Sequence, residues 1–408
     1  MPTEAKKSHD RDGCGFLNTI RQHLGRYPAM EISDLLKLLY QNEFGAEHLI
    51  SDTEVSQRYL RDELDRLQST SANGDETADG EEAPDHELSA SADVEEIGNG
   101  LSRVYLRMLL RGELTLQTLN RIFLLTANRS LGSIASFDAK GAALIRLCAE
   151  GSLPFDAADL VQALAEHRQA GYPALRHSDT YRRIYAPAYR VVAREFSNLI
   201  LLLGHIDNLL AEKNRVTIAI EGPCASGKTT LGVLLQRIYQ GNLISSDAFF
   251  LRPKQRTPQR LAEPGGNIDY ERFAAEVIRP LELGEPFAYR PFDCTSLTMQ
   301  DPISVDPGKL TVVEGVYSMH PVLHATYDLS IFLEIDPLQQ ESRLGKRSPE
   351  LLPRFRQEWI PMENRYFESF AIRQGCDLIL SQEANESSAS AGGFTYQWND
   401  HALAELAF

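Results

Sequence analysis

The chain has 408 residues, a formal charge of −16, 43% hydrophobic and 24% charged residues, which excludes a collagenous, coiled-coil or wholly disordered polypeptide. At roughly 150 residues per domain this length calls for two or three domains. The acidity argues against sequence-independent attraction to nucleic acid, which needs a basic face. The longest apolar run, Leu199 to Leu203, is far short of the ~20 residues that span a bilayer. The polar start MPTEAKKSHD has no signal-peptide core, so a cytoplasmic protein away from membranes is expected. Cys14, Cys148, Cys224, Cys294 and Cys376 are scattered, with no Cys-x-x-Cys pair. Reduced thiols and no structural metal follow.

Ile32, Leu35, Leu36 and Leu39 recur at helical spacing, and Leu101, Val104, Tyr105, Met108 and Leu109 do so again. Between them lies an acidic stretch without Lys or Arg, Asp75 to Glu96. It is too poor in large apolar residues to offset its ordering entropy, so a disordered insertion over about residues 70–95 is expected. Further helical patterns, LTLQTLNRIFLLTANR, FDAKGAALIRLCAE and AADLVQALAEHRQAG, make residues 10–205 an expected all-α domain. Gly45 and His48 form one polar candidate there. A second is Tyr181 to Arg194, where Arg182, Arg183, Arg190 and Arg194 alternate with Tyr181, Tyr185 and Tyr189, and Pro187 should interrupt the helix. Its arginines either lay their stems over apolar surface with heads in water, or present guanidinium forks to an anion.

At Arg215 the pattern changes. Short β-branched runs at Val216–Ile220, Leu243–Ser245, Leu310–Val313, Leu329–Ile335 and Asp377–Leu380 alternate with helical or irregular segments. That alternation predicts an α/β domain with a parallel sheet covered by helices on both faces, spanning residues 206–381 and followed by a flexible tail at 382–408.

Gly222-Pro223-Cys224-Ala225-Ser226-Gly227-Lys228-Thr229, with Thr230 following, satisfies G-x-x-x-x-G-K-[ST] between a predicted strand and a predicted helix. The glycines let backbone N–H groups curl around phosphate oxygens, Lys228 supplies charge to the β and γ phosphates, and the Thr229 hydroxyl can ligate magnesium. ATP and Mg2+ are therefore the expected cofactors. Asp247 in SSDAFF follows the second predicted strand and Glu314 closes the third, at the carboxyl edge where ligands bind an open parallel sheet. Asp247 can accept a proton from an attacking hydroxyl, and Glu314 can hold magnesium.

The ordered motifs IEGPCASGKTT, SSDAFF, GGNIDYERF, YRPFD, VVEGVYSMHP, YDLSIFLEID and RLGKR, within about residues 214–381, resemble the uridine kinase and phosphoribulokinase family of P-loop kinases. That resemblance implies Asp247 as base toward the acceptor hydroxyl, Glu314 near magnesium and Asp269 on the acceptor hydroxyls. It implies a lid carrying Arg343, Lys346 and Arg347, and Arg343 and Arg347 share one helix face. Tyr289 and Arg290 complete the acceptor-side candidates. Arg290 suits an anionic acceptor or a structural pairing with Asp293 or Glu285. Tyr289–Ser296 lacks the His that uridine kinases commonly place there.

The expected activity is phosphoryl transfer from ATP to an alcohol group of a small metabolite, with nucleosides such as uridine leading. The alternatives are a sugar, sugar phosphate or vitamin-like alcohol as acceptor, or a nucleotide-gated regulator. The expected partner is the small-molecule acceptor, with no nucleic acid and no membrane, and self-association is left open.

Overall fold

The computed structural model describes residues 9–46, 52–72, 93–129, 132–323, 327–382 and 394–399. The chain divides into two compact units, Met1–His205 and Ile206–Phe408. His48 and residues 73–92 of the acidic stretch lie outside the described residues.

In the first unit α1 (His9–Arg26), α2 (Ile32–Phe44) and α3 (Thr53–Ala72) are followed by the helices Leu116–Ala127, Ile134–Ala149 and Ala157–Gln169. α2 starts where Asp34 turns back to accept the Glu31 backbone N–H at 3.0 Å, and it stops at Gly45, whose φ is 73°. Leu35, Leu38 and Leu39 are fully buried against Phe16, Ile20, Phe137 and Leu144.

This unit is not purely helical. β1 (Val94–Gly98), β2 (Leu101–Tyr105) and β3 (Tyr189–Ala193) form an antiparallel sheet in that order. The helical spacing of Leu101, Val104 and Tyr105 misleads because β2 is the central strand and buries Ser102 and Arg103 as well, which erases the alternation that marks a strand. The acidic stretch is also ordered at its far end. Asp93 bridges Arg107 and Arg111, and Glu95 is 5% exposed and holds Arg103 at 3.2 Å. The Tyr181–Arg194 segment is cut as Pro187 predicts. A helix ends at Tyr185, Ala186 turns with φ 40°, and β3 begins at Tyr189. Arg182 pairs with Asp179, Arg190 with Glu63 and Arg194 with Glu96.

The second unit is built on a six-stranded sheet, order β13-β12-β11-β4-β10-β5. β4 (Val216–Glu221), β5 (Asn242–Ser245), β10 (Leu310–Glu314), β11 (Leu329–Glu334) and β12 (Leu378–Gln382) are parallel. The expected tail instead supplies β13 (Phe394–Trp398), antiparallel to β12, because Phe394, Tyr396 and Trp398 let it pair along that edge. Between β5 and β10 the chain forms two small antiparallel pairs, β6 (Phe287–Tyr289) with β9 (Ile303–Val305), and β7 (Phe292–Asp293) with β8 (Thr298–Met299). β4 lies between β10 and β11, and the chain leaves β4 for the β5 edge, returns through β10 beside β4 and then adds β11 on the other side of β4. That switch point places a crevice at their carboxyl ends.

Candidate active site

β4 feeds directly into the phosphate-binding loop. Gly222 has φ 141°, and a Cβ there would stand 2.4 Å from the Leu333 carbonyl oxygen of β11, so only glycine lets the loop pass the neighbouring strand. Ala225 and Gly227, with φ 61° and 107°, curl the backbone onward into the helix Lys228–Tyr239. The loop thus lies at that helix's positive end. Lys228 is 8% exposed, and its Nζ donates to the carbonyls of Gly222 and Pro223, both at 2.8 Å. The Ser226 hydroxyl is fully buried and has no hydrogen-bond partner among the described residues. Thr229 and Thr230 are exposed on the first helical turn.

Two acids face this loop from strand ends. Glu314 Oε2 accepts the Thr229 hydroxyl at 3.1 Å. Burial raises its pKa, the Ser245 and Thr229 hydroxyls and the Lys228 charge pull it down, and Asp247 pushes it further up. Asp247 is accessible to solvent yet crowded by protein. This desolvation raises its pKa, while Lys228 and Arg347 oppose the rise. β10 has the register for this, since Glu314 lies opposite both Ile220 and Ser245. The turn after Glu314 is equally constrained. Gly315 has φ 135°, and a Cβ on it would lie 2.0 Å from the Ser246 hydroxyl.

The helix Pro337–Arg347 covers the outer side of the loop. Arg343 donates to the Ala225 and Ser226 carbonyls at 3.0 and 3.3 Å and also reaches Gln382 Oε1. It is therefore a brace of the loop. Arg347 is exposed, and its charge is felt at Asp247. Farther on, Arg354 pairs with Glu358 and lies over Trp359, and Arg356 pairs with Glu341.

On the acceptor side the candidates separate. Asp269, 4% exposed, caps the helix Tyr270–Phe273 by accepting Arg272 N at 3.2 Å, and it takes Gln255 Nε2 at 2.7 Å. Tyr289 is 5% exposed and packs on Phe249 in the core, ring centroids 5.6 Å apart. It stands inside the hydrophobic cluster rather than in the crevice. Arg290 is exposed and donates from Nε to the Gln300 carbonyl at 2.9 Å, not to Asp293 or Glu285.

Three residues without a local sequence signal join the site. Glu363 Oε2 accepts the Cys224 backbone N–H at 2.9 Å. Glu221, fully buried at the end of β4, accepts Gly222 N at 2.9 Å and Met319 N and the Tyr366 hydroxyl at 3.1 Å. Burial pushes its pKa up to about 7 against those hydrogen bonds and the Lys228 charge. Tyr317 is 2% exposed with φ 79°, a left-handed conformation costly for a bulky residue and most often kept at functional sites. Its phenol is pushed up by burial first and then by Glu363, with Glu221 and Asp247 adding to the rise.

The loop fits a nucleotide's phosphates. It offers left-handed turns, a cation on its carbonyls and a buried hydroxyl without a partner. Among the described residues no group of three or more His, Cys, Asp or Glu is arranged to hold a metal ion. The touching Thr229 hydroxyl and Glu314 carboxylate are instead the donor pair suited to magnesium that arrives with nucleotide phosphates. A parallel sheet with this loop between its central strand and the following helix defines a P-loop α/β nucleotide-binding fold.

Solved structures similar to part of the chain include three kinases. One, described as a possible uridine kinase from Bacillus stearothermophilus, is 18% identical over 44% of this chain and 98% of its own, TM-score 0.34. Phosphoribulokinase from Rhodobacter spheroides is 11% identical over 45% of this chain and 78% of its own, TM-score 0.32. Shikimate kinase from Acinetobacter baumannii is 16% identical over 48% of this chain and 93% of its own, TM-score 0.26. No protein-family model and no curated protein matches the chain. Among the described residues no helix is long and apolar enough to cross a membrane.

Proposed function

We propose that the chain is an ATP- and magnesium-dependent kinase that phosphorylates a hydroxyl of a small metabolite, with nucleosides such as uridine the leading acceptors. The observation that carries this reading is Asp247, a solvent-accessible carboxylate of raised pKa within the fields of Lys228 and Arg347. A loop that only held nucleotide would need no such base. Thr229 and Glu314 would hold magnesium, which when bound would neutralise charge on the nucleotide phosphates. Lys228 and the loop amides position those phosphates. Asp247 takes the proton of the acceptor hydroxyl as its oxygen bonds the γ-phosphorus, and the bond to the departing oxygen breaks to leave ADP. Lys228 and then Arg347 oppose the rise in the Asp247 pKa, and the exposed Arg347 guanidinium is the lid charge proposed to balance what develops on the transferring group. Tyr289 is committed to the core, which leaves Asp269 and the exposed Arg290 as the acceptor-side candidates.

ADP release from MgATP, measured with nucleosides, sugars and sugar phosphates in turn, tests the reading. Uridine- or cytidine-dependent ADP formation well above the acceptor-free rate supports the nucleoside assignment. Turnover confined to a sugar or sugar phosphate keeps the kinase and moves the acceptor. ATP binding without turnover on any acceptor overturns the kinase reading.

A further inference from the structure

The first unit contains a cavity of about 720 Å³, a size that takes one small molecule. α2 lines it with Lys37 and Gln41, α3 with Val55 and Ser56, and β3 with Tyr189 and Arg190. Its charged lining is mainly basic. Lys37, Arg176, Arg182 and Arg190 face it against Asp52 and Glu63; Arg190 pairs with Glu63 at 2.8 Å, Arg182 with the exposed Asp179, and Lys37 Nζ donates to the Leu175 carbonyl at 2.6 Å. A basic concavity in a chain of net charge −16 focuses its field on anions.

The floor is pre-aligned by a buried polar chain. Asp34, 1% exposed, takes His177 Nδ1 at 2.8 Å, and His177 Nε2 meets the Tyr189 hydroxyl at 2.7 Å. Burial lowers the His177 pKa to about 4, with Asp34 opposing and Arg103 and Lys37 adding to the drop, so the imidazole is neutral at neutral pH. With Nδ1–H donated to Asp34, Nε2 accepts, which assigns the Tyr189 proton to it. Gln41 Oε1 is held by Arg103 Nε at 3.1 Å and Nη2 at 2.8 Å, which turns its amide nitrogen toward the Tyr189 hydroxyl at 3.3 Å. The Arg103 guanidinium, 1% exposed, lies over the Tyr189 ring at 4.6 Å from its centroid.

Such a chain costs desolvation that an apolar wall would avoid. This one runs to a cavity wall and fixes the Tyr189 ring and the Gln41 amide there. Val55, Phe123 and Leu175 supply apolar surface beside them. We propose that this cavity binds a small organic anion, a carboxylate or phosphate monoester on a flat apolar body, with the acid group toward Arg176, Arg182 and Lys37 and the body beside Tyr189, Val55 and Phe123. The site belongs to the first unit and stands whether or not the second is a kinase.

Calorimetric titration of the full chain carrying Lys228→Ala, which disables the phosphate loop, tests this with phenyl phosphate, benzoate, phenol and inorganic phosphate. Phenyl phosphate or benzoate should bind about tenfold or more tighter than both phenol and inorganic phosphate. The stronger of the two acids tells phosphate from carboxylate. Adding Arg176→Ala with Arg182→Ala, both exposed positions, should weaken that binding by about tenfold while the thermal midpoint without ligand stays put. Val55→Trp, which sets an indole where the apolar body would lie, should weaken it by a similar factor. Equal binding of phenol, equal binding of inorganic phosphate, unchanged binding in the arginine or tryptophan variants, or no binding of either acid overturns the proposal.

Discussion

Glu363 Oε2 accepts the Cys224 backbone N–H at 2.9 Å, so a carboxylate from the helix Ile360–Ser369 occupies one amide of a loop shaped for phosphate. Burial raises the Glu363 pKa, and Asp247 adds to the rise while the Cys224 amide and Lys228 oppose it. Glu363→Gln keeps an acceptor for the amide and removes a negative charge near the phosphates. MgATP should therefore bind about threefold to tenfold tighter in that variant by calorimetry. Glu363→Ala removes the acceptor as well and should bind more weakly than the glutamine variant. MgATP binding in the glutamine variant no tighter than in the parent would show that the carboxylate's charge does not compete with the nucleotide.

Lys228→Ala removes the cation and both hydrogen bonds to Gly222 and Pro223. Turnover should fall by on the order of 10³-fold, since the same charge holds the phosphates through the transition state. Acceptor-dependent ADP release at the parent rate would sink the assignment of this loop.

Asp247→Asn should leave ATP affinity near the parent value and lower kcat by about 10²-fold or more, because the amide cannot take a proton. Burial raises the Asp247 pKa, so the acid limb of the parent kcat profile should lie above the ordinary carboxylate range. Arg347 lowers that pKa. Arg347→Ala should hence move the limb to still higher pH, and a limb that stays in place would separate Arg347 from the base.

Glu221 gives a stability prediction. Its folded pKa of about 7 exceeds the ordinary 4.5, so the folded state holds this proton more tightly than the unfolded chain. Its contribution to stability is full below about 4.5 and declines as pH rises toward about 7. Denaturant midpoints taken across that window should fall with pH, and Glu221→Gln should flatten the slope even if it lowers the midpoint, because one of the donors from Gly222, Met319 and Tyr366 loses its acceptor.

The second unit was legible wherever one short segment carried both pattern and chemistry. Val216–Ile220 reads as a buried strand because every residue is apolar or β-branched, and the glycine-lysine loop after it has little other use. Asp247 and Glu314 were visible because they end such runs. Glu363 was not, since a carboxylate on a helix looks ordinary until the fold brings it to the loop; Glu221 also ends such a run, but only the fold shows its carboxylate turned inward to Gly222, Met319 and Tyr366. Tyr289 misled because an aromatic beside an arginine reads as a binding pair, whereas strand alternation turned its ring into the core. In the first unit the fully buried Arg103 hid β2, since a charge inside a strand reads as a solvent face until Gln41, Glu95 and Tyr189 are seen around it.

Among the described residues β13 has β12 as its one neighbour and pairs Phe394 opposite Gln382. Gln382 takes Arg343, and Arg343 braces Ala225 and Ser226. An edge strand of the sheet is thus two side chains away from the phosphate loop. A strand paired along one edge opens more easily than one held on both, so undocking of residues 394–398 would be felt at Gln382 and, through Arg343, at the carbonyls of Ala225 and Ser226. A fusion or cut close to that segment would act as a dial on the loop rather than as an inert handle.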